Sequence, residues 1–182
     1  MDLSEHETLP PHVMRRLESA VGYLELDLPE EAWVELEGID HDYHAHPIIM
    51  LGRVDVRMRQ ARWEDAVGLA EALCRVATSE PGAYISRSFC LHCLGRTLEA
   101  REKLLEAPHE LEKVPTFHYN LACYECTLGN LDAARRRLAK AISLYDGFEE
   151  FAGSDPDLKA LHPELPALAH TAKKAKRPKA KG

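Results

Sequence analysis

Apolar and small side chains recur in this chain at helical spacing, in blocks separated by short polar breaks. Residues 115–146 show the pattern most cleanly. Leu121, Ala122 and Leu128 mark one apolar face, Gly129 interrupts it, and Leu131, Ala134, Leu138, Ala141 and Ile142 stripe a second face. This spacing predicts helix, tight turn, helix. Upstream, Met14, Leu17, Ala20, Val21 and Leu24 predict a first helix over His12–Leu26, and Ala32, Trp33 and Leu36 a second over Pro29–Ile39. The blocks keep strict time: Ala32, Ala66, Ala100 and Ala134 are 34 residues apart, as are Pro47, Pro81 and Pro115.

The period has physical content at each step. The resemblance to the tetratricopeptide repeat that this period carries implies that small residues face one another across each hairpin, as Ala20 and Ala32, Ser88 and Ala100, and Ala122 and Ala134, with Val54 and Ala66 the bulkier case. A larger side chain where two helices touch would force them apart, at about 1–3 kcal/mol. Acids such as Glu30, Glu64, Glu99 and Asp132 open each second helix, where the helix dipole favours negative charge. Gly95 and Gly129 suit the left-handed conformation that ends a helix. Asp27 and Ala61 stand at the matching positions and tolerate it less well, so the first two hairpins are expected to turn by another geometry.

A helical hairpin of 34 residues repeated in register resembles the tetratricopeptide repeat, here over about residues 12–147. The resemblance implies an all-α, right-handed superhelical solenoid of four repeats, 13–46, 47–80, 81–114 and 115–147, with a C-terminal cap at 148–168. It also implies a concave groove lined by the first helices, holding a peptide or protein segment. The groove positions carried over are Leu17 and Val21, with Met14 and Leu24 beside them, then Ile48, Leu51, Asp55, Met58 and Arg59. Ile85, Phe89 and His92 follow with Cys93 beside them, and Tyr119, Asn120 and Cys123 with Cys126 beside them. One subfamily clamps a C-terminal carboxylate with lysines and asparagines. The matching positions hold Leu17, Val21, Gly52, Gly82, Ser86 and Asn120, of which only Asn120 fits. A Pro-rich or amphipathic segment with apolar anchors suits such a groove better.

Outside the repeats, 1–11 read as a polar leader and 169–182 as a basic disordered tail, so the helical domain is expected over 12–168. Six of the 23 basic residues crowd the last ten positions, and the body is therefore more acidic than the net charge of -7 conveys. An acidic body repels phosphates, which disfavours nucleic acid as the main ligand. Apolar runs are short and interrupted by charge, so no membrane span is expected. Five cysteines without a secretion signal point to reduced thiols in a cytoplasm. Self-association into a homo-oligomer is compatible with the repeat architecture.

Candidate chemistry is sparse. There is no glycine-rich phosphate loop, nucleophile elbow or His-Glu-x-x-His motif, so a non-enzymatic protein without a cofactor is expected. The alternative is a metal- or thiol-dependent protein. Cys90, Cys93, Cys123 and Cys126 form two Cys-x-x-Cys pairs, and His41, His44 and His46 share one connector with Asp40 and Asp42. Both cysteine pairs fall inside predicted helices, and their spacing, one residue short of the repeat, rotates one pair about 100° from the other. Packing explains the cysteines better, and a solvated connector the histidines. Titration of thiols under denaturing, non-reducing conditions is expected to count all five cysteines; a count near one would mean both pairs are oxidised.

Overall fold

In a computed structural model, the described residues run from 9 to 176, with side chains through 172. Contacts divide the chain into two units, Met1–Ala77 and Thr78–Gly182. The first holds α1 (Pro11–Glu25), α2 (Pro29–Glu37), α3 (Pro47–Arg59) and α4 (Trp63–Val76). The second holds α5 (Pro81–Cys93), α6 (Thr97–Leu105), α7 (Pro115–Thr127), α8 (Leu131–Leu144), α9 (Phe148–Ser154) and α10 (Leu165–Lys176). A 3-10 segment, Pro156–Glu164, joins the last two helices. Proline opens α1, α2, α3, α5 and α7, where its missing N–H breaks no helical hydrogen bond.

Each unit is built from two helical hairpins. In every hairpin the facing small residues are fully or almost fully buried, from Ala20 and Ala32 through Val54 and Ala66 to Ala122 and Ala134. The first unit's core gathers Val13, Leu17, Leu36, Ile39, Ile49 and Val56 with the flank of Trp33. The Arg57 guanidinium lies 3.3 Å from the Trp33 ring centre, so the stacking of α3 on α2 combines apolar area with cation–π attraction. In the second unit, the Tyr124 hydroxyl donates to Ser88 Oγ at 3.2 Å, and Arg101 pairs with the buried Glu125 at 2.6 Å.

All four hairpins turn in the same way, which corrects the expectation for the first two. Asp27 (φ 57°) and Ala61 (φ 53°) are left-handed, as are Gly95 (φ 77°) and Gly129 (φ 81°). Two backbone bonds accompany each turn. The N–H groups of Asp27 and Leu28 donate to Leu24 O and Tyr23 O at 3.2 and 2.9 Å. Ala61 and Arg62 donate to Met58 O and Arg57 O at 3.0 and 2.9 Å, and the pairs at Gly95 and Gly129 repeat the pattern. This is the Schellman arrangement, and it satisfies carbonyls that a helix end otherwise leaves without partners. Those bonds hold Ala61 in a conformation its Cβ disfavours by about 1–2 kcal/mol.

The C-terminal end also differs from expectation. Helix α10 runs through the start of the expected tail, because Ala169 and Ala172 are buried and α10 packs on α8. The rest of the expected tail, 177–182, and most of the expected leader, 1–8, lie outside the described residues.

The turns yield a paired prediction. Ala61→Gly should stabilise the chain by about 0.5–1 kcal/mol, because relief of the left-handed strain exceeds the extra freedom glycine gives the unfolded chain. Gly129→Ala, where an added Cβ meets nothing within 4 Å, should lose a similar amount through backbone strain alone. Urea denaturation of both variants tests this, and a destabilised Ala61→Gly would contradict it.

Candidate functional site

The groove positions expected on the first helices divide into open and covered sets. In the first unit, Val21 and Ile48 are 49% and 44% exposed, Asp55 and Arg59 are exposed, and Leu51 and Met58 are half-buried. Ile48, Leu51, Asp55 and Met58 follow helical spacing and share one face of α3. Leu17 belongs to the core instead. Its Cδ1 would stand 3.3 Å from a Cβ at Gly52, where α1 and α3 come close, so it cannot line a groove. In the second unit, Phe89 is 38% exposed and Ile85 and Asn120 are half-buried.

Tyr119, Cys123 and His92 are covered by the chain itself, which removes them from an open groove. The 3-10 segment after α9 lies against α7, with Leu158 and Leu161 fully buried. At its start, Asp155 Oδ2 accepts from the Tyr119 hydroxyl at 2.8 Å and from the Cys123 thiol at 3.6 Å. Asp155 Oδ1 accepts from the Asp157 backbone N–H at 2.9 Å, capping the segment's first turn. His92 Nε2 meets Asp157 Oδ2 at 2.9 Å, while His92 Nδ1 meets Thr97 Oγ1, also at 2.9 Å. Cys126 lies against the backbone of Ala160. At the far end, Arg135 of α8 grips Glu164 with two parallel bonds of 2.7 and 2.8 Å, a fork that fixes direction as well as position.

Burial decides the chemistry of this network. It pushes the Cys123 thiol well up, and the nearby Asp155 and Asp157 carboxylates add to the effect. The Tyr119 hydroxyl is raised by the same burial and by its bond to Asp155. Both groups therefore stay protonated and donate to Asp155. Beside them Tyr119 stacks on Phe148 with ring centres 4.3 Å apart, and Tyr119, Phe148, Phe151, Ser154 and Asp155 line an open cleft of about 360 Å³.

The metal alternative does not assemble. Among the described residues, Cys123, Asp155 and Asp157 form the one group of three ligand atoms within 4.8 Å of one another, so neither the four cysteines nor the three histidines converge. Cys90 is buried while Cys93 is exposed, as expected for pairs inside a helix. His44 Nε2 meets the Ile39 carbonyl at 2.8 Å and His44 Nδ1 meets Arg53 Nη1 at 2.9 Å, so both ring nitrogens are engaged. His46 Nδ1 accepts from the Ile48 N–H and caps α3. The Cys123 group is itself committed to hydrogen bonds with the chain.

Sequence reasoning missed Asp155 and Asp157, which read only as part of a cap. A signal existed in α7: Tyr-Asn-Leu-Ala-Cys-Tyr-Glu-Cys has almost no polar face, and a helix apolar all round must be covered on every side.

No family model matches this chain, and no curated protein matches it at a significant level. Solved structures do. The type III secretion translocator chaperone SycD of Yersinia enterocolitica, crystallised as an alternative dimer, is 19% identical with a TM-score of 0.52, over 78% of this chain and 99% of that one. PcrH in complex with the chaperone binding region of PopB is 20% identical with a TM-score of 0.52, over 72% of this chain and 98% of PcrH. The chain thus has the all-helical repeat fold of these chaperones.

Alkaline pH should weaken this region. The folded state holds the protons of Cys123 and Tyr119 more tightly than the unfolded chain does, so stability falls as pH rises. Their contribution is complete well below about pH 8.5, where unfolded cysteine is half ionised, and declines as pH rises through that value toward the raised folded values. Urea midpoints measured upward from pH 8 should drop less steeply in Cys123→Ala than in the parent; equal slopes would remove Cys123 from the account.

Proposed function

We propose that this chain is a tetratricopeptide-repeat interaction module, non-enzymatic and cytoplasmic, that binds a segment of a partner protein on the first-helix faces its own chain leaves open. The observation that carries this reading is the likeness to PcrH, whose structure holds a binding region of another protein on the same fold. The open positions support it: Val21 and Ile48 in the first unit and Phe89 in the second are large apolar side chains that remain partly exposed, at 49%, 44% and 38%. A stable monomer gains nothing from such exposure, whereas a partner would bury it.

Among these, Phe89 is the aromatic anchor, and truncating such anchors removes about 2 kcal/mol or more of binding. Phe89→Ala should therefore weaken capture of the native partner by about 30-fold, with helix content by circular dichroism unchanged. Arg136→Ala, an exposed change on the second-helix face of α8, is the matched control and should leave binding within twofold of the parent, about 0.4 kcal/mol. Retained binding by folded Phe89→Ala would overturn the assignment to the first-helix face. Affinity purification with mass spectrometry identifies the partner, and titration calorimetry with that partner reads the loss.

A further inference from the structure

Residues 155–164 have the form of a bound peptide. A 3-10 run longer than three or four residues is uncommon, and this one spans nine with prolines at 156 and 163. Its shape therefore follows the surface beneath it. Leu158 and Leu161, three residues apart, fall on one side of a 3-10 turn and are fully buried, while Lys159, Ala160 and Pro163 face solvent. The polar contacts are one-sided as well. Tyr119, Cys123 and Arg135 donate from the receiving helices, His92 stands opposite Asp157, and the segment supplies the carboxylates Asp155, Asp157 and Glu164. The hairpins α5–α6 and α7–α8 close through their own small-residue contacts, which include no residue of the segment.

We propose that residues 155–164 are a resident ligand of α7, flanked by His92 of α5 and Arg135 of α8, and that a partner displaces them with a segment of the same chemistry. That segment carries two carboxylates followed by two leucines one 3-10 turn apart, in the pattern Asp-x-Asp-Leu-x-x-Leu. This deepens the partner-binding reading above, carrying it from the open positions to a face the chain itself covers, and rests on that reading. The leucines supply the apolar anchors, and the carboxylates fix register against Tyr119 and His92. Asp155 stands at the edge of the open cleft beside Phe148 and Phe151, which gives an incoming segment a place to begin.

The test uses the full chain and a fluorescein-labelled synthetic peptide of residues 154–165. Leu161→Ser weakens the resident segment, so the variant should bind the peptide at least about tenfold tighter than the parent by fluorescence anisotropy. A peptide with serine at both leucine positions should not bind, and adding Tyr119→Phe should weaken binding of the intact peptide. Equal affinity of parent and variant, or no binding to folded Leu161→Ser, overturns the proposal. So does loss of helix content in Leu161→Ser, since the segment would then be core. Hydrogen exchange on the parent checks the same point without mutation: amides of 155–164 should exchange faster than those of α7 and α8, and exchange only together with α7 is the contrary result. The two readings fail separately. If Phe89→Ala loses the native partner while Leu161→Ser takes no peptide, partner binding stands and displacement falls. The opposite pair of results retains displacement and removes Phe89 from the binding face.

Discussion

The left-handed residue between the two helices of each hairpin is the constraint on which the rest depends. Its two backbone bonds set how the second helix leaves the first, and that path brings the pair together where side chains must be small. Ala20 and Ala32, or Ala122 and Ala134, are therefore consequences of the turn as much as contributors to packing. Ala61 shows the order of importance. A strained alanine is kept at the turn, because losing the two backbone bonds of the helix end would cost more than the strain.

Upon that shared skeleton the two units differ in how they hold successive hairpins. The first relies on Trp33 beneath the Arg57 and Arg53 guanidiniums, with Arg53 also bonded to Glu37 and His44. The second uses polar ties, Tyr124 to Ser88 and Arg101 to the buried Glu125, while Arg87 to the Lys103 carbonyl at 2.7 Å closes the α5–α6 hairpin itself. Histidine serves in both. His118, pulled below the usual histidine value by burial, spans the Glu112 carbonyl at 2.8 Å and Arg137 at 3.2 Å, much as His44 spans Ile39 and Arg53. A neutral imidazole does this well, since one nitrogen donates to the carbonyl and the other accepts from the guanidinium. Such paired use removes these histidines from metal chemistry.

The repeat period, the hairpins and their small contacts were legible in the sequence because each is a local pattern repeated at fixed distance. Asp27 and Ala61 were misread because residue type was weighed alone, whereas backbone bonds to residues three and five earlier decide the turn. The fate of Tyr119, Cys123 and His92 was hidden for a different reason. Their cover, 155–164, has no helical period of its own, and its information lies in complementarity to helices that precede it by some 30 residues or more. Leu17 failed as a groove residue through one neighbour: Gly52 lets α3 approach close enough to bury it.

The order of synthesis gives the covering segment a further meaning. A chain emerges from its N-terminus, and its early parts begin to fold while later parts are still being made. Helix α7, with Tyr119, Cys123 and Cys126 along one side, is complete before Leu158 and Leu161 exist to shield it. During that interval the side of α7 that Leu158 and Leu161 later cover faces the surrounding solution. Any factor that meets the nascent chain there meets a face the finished protein conceals, so the same ten residues that complete the fold also end its period of greatest vulnerability to misassociation.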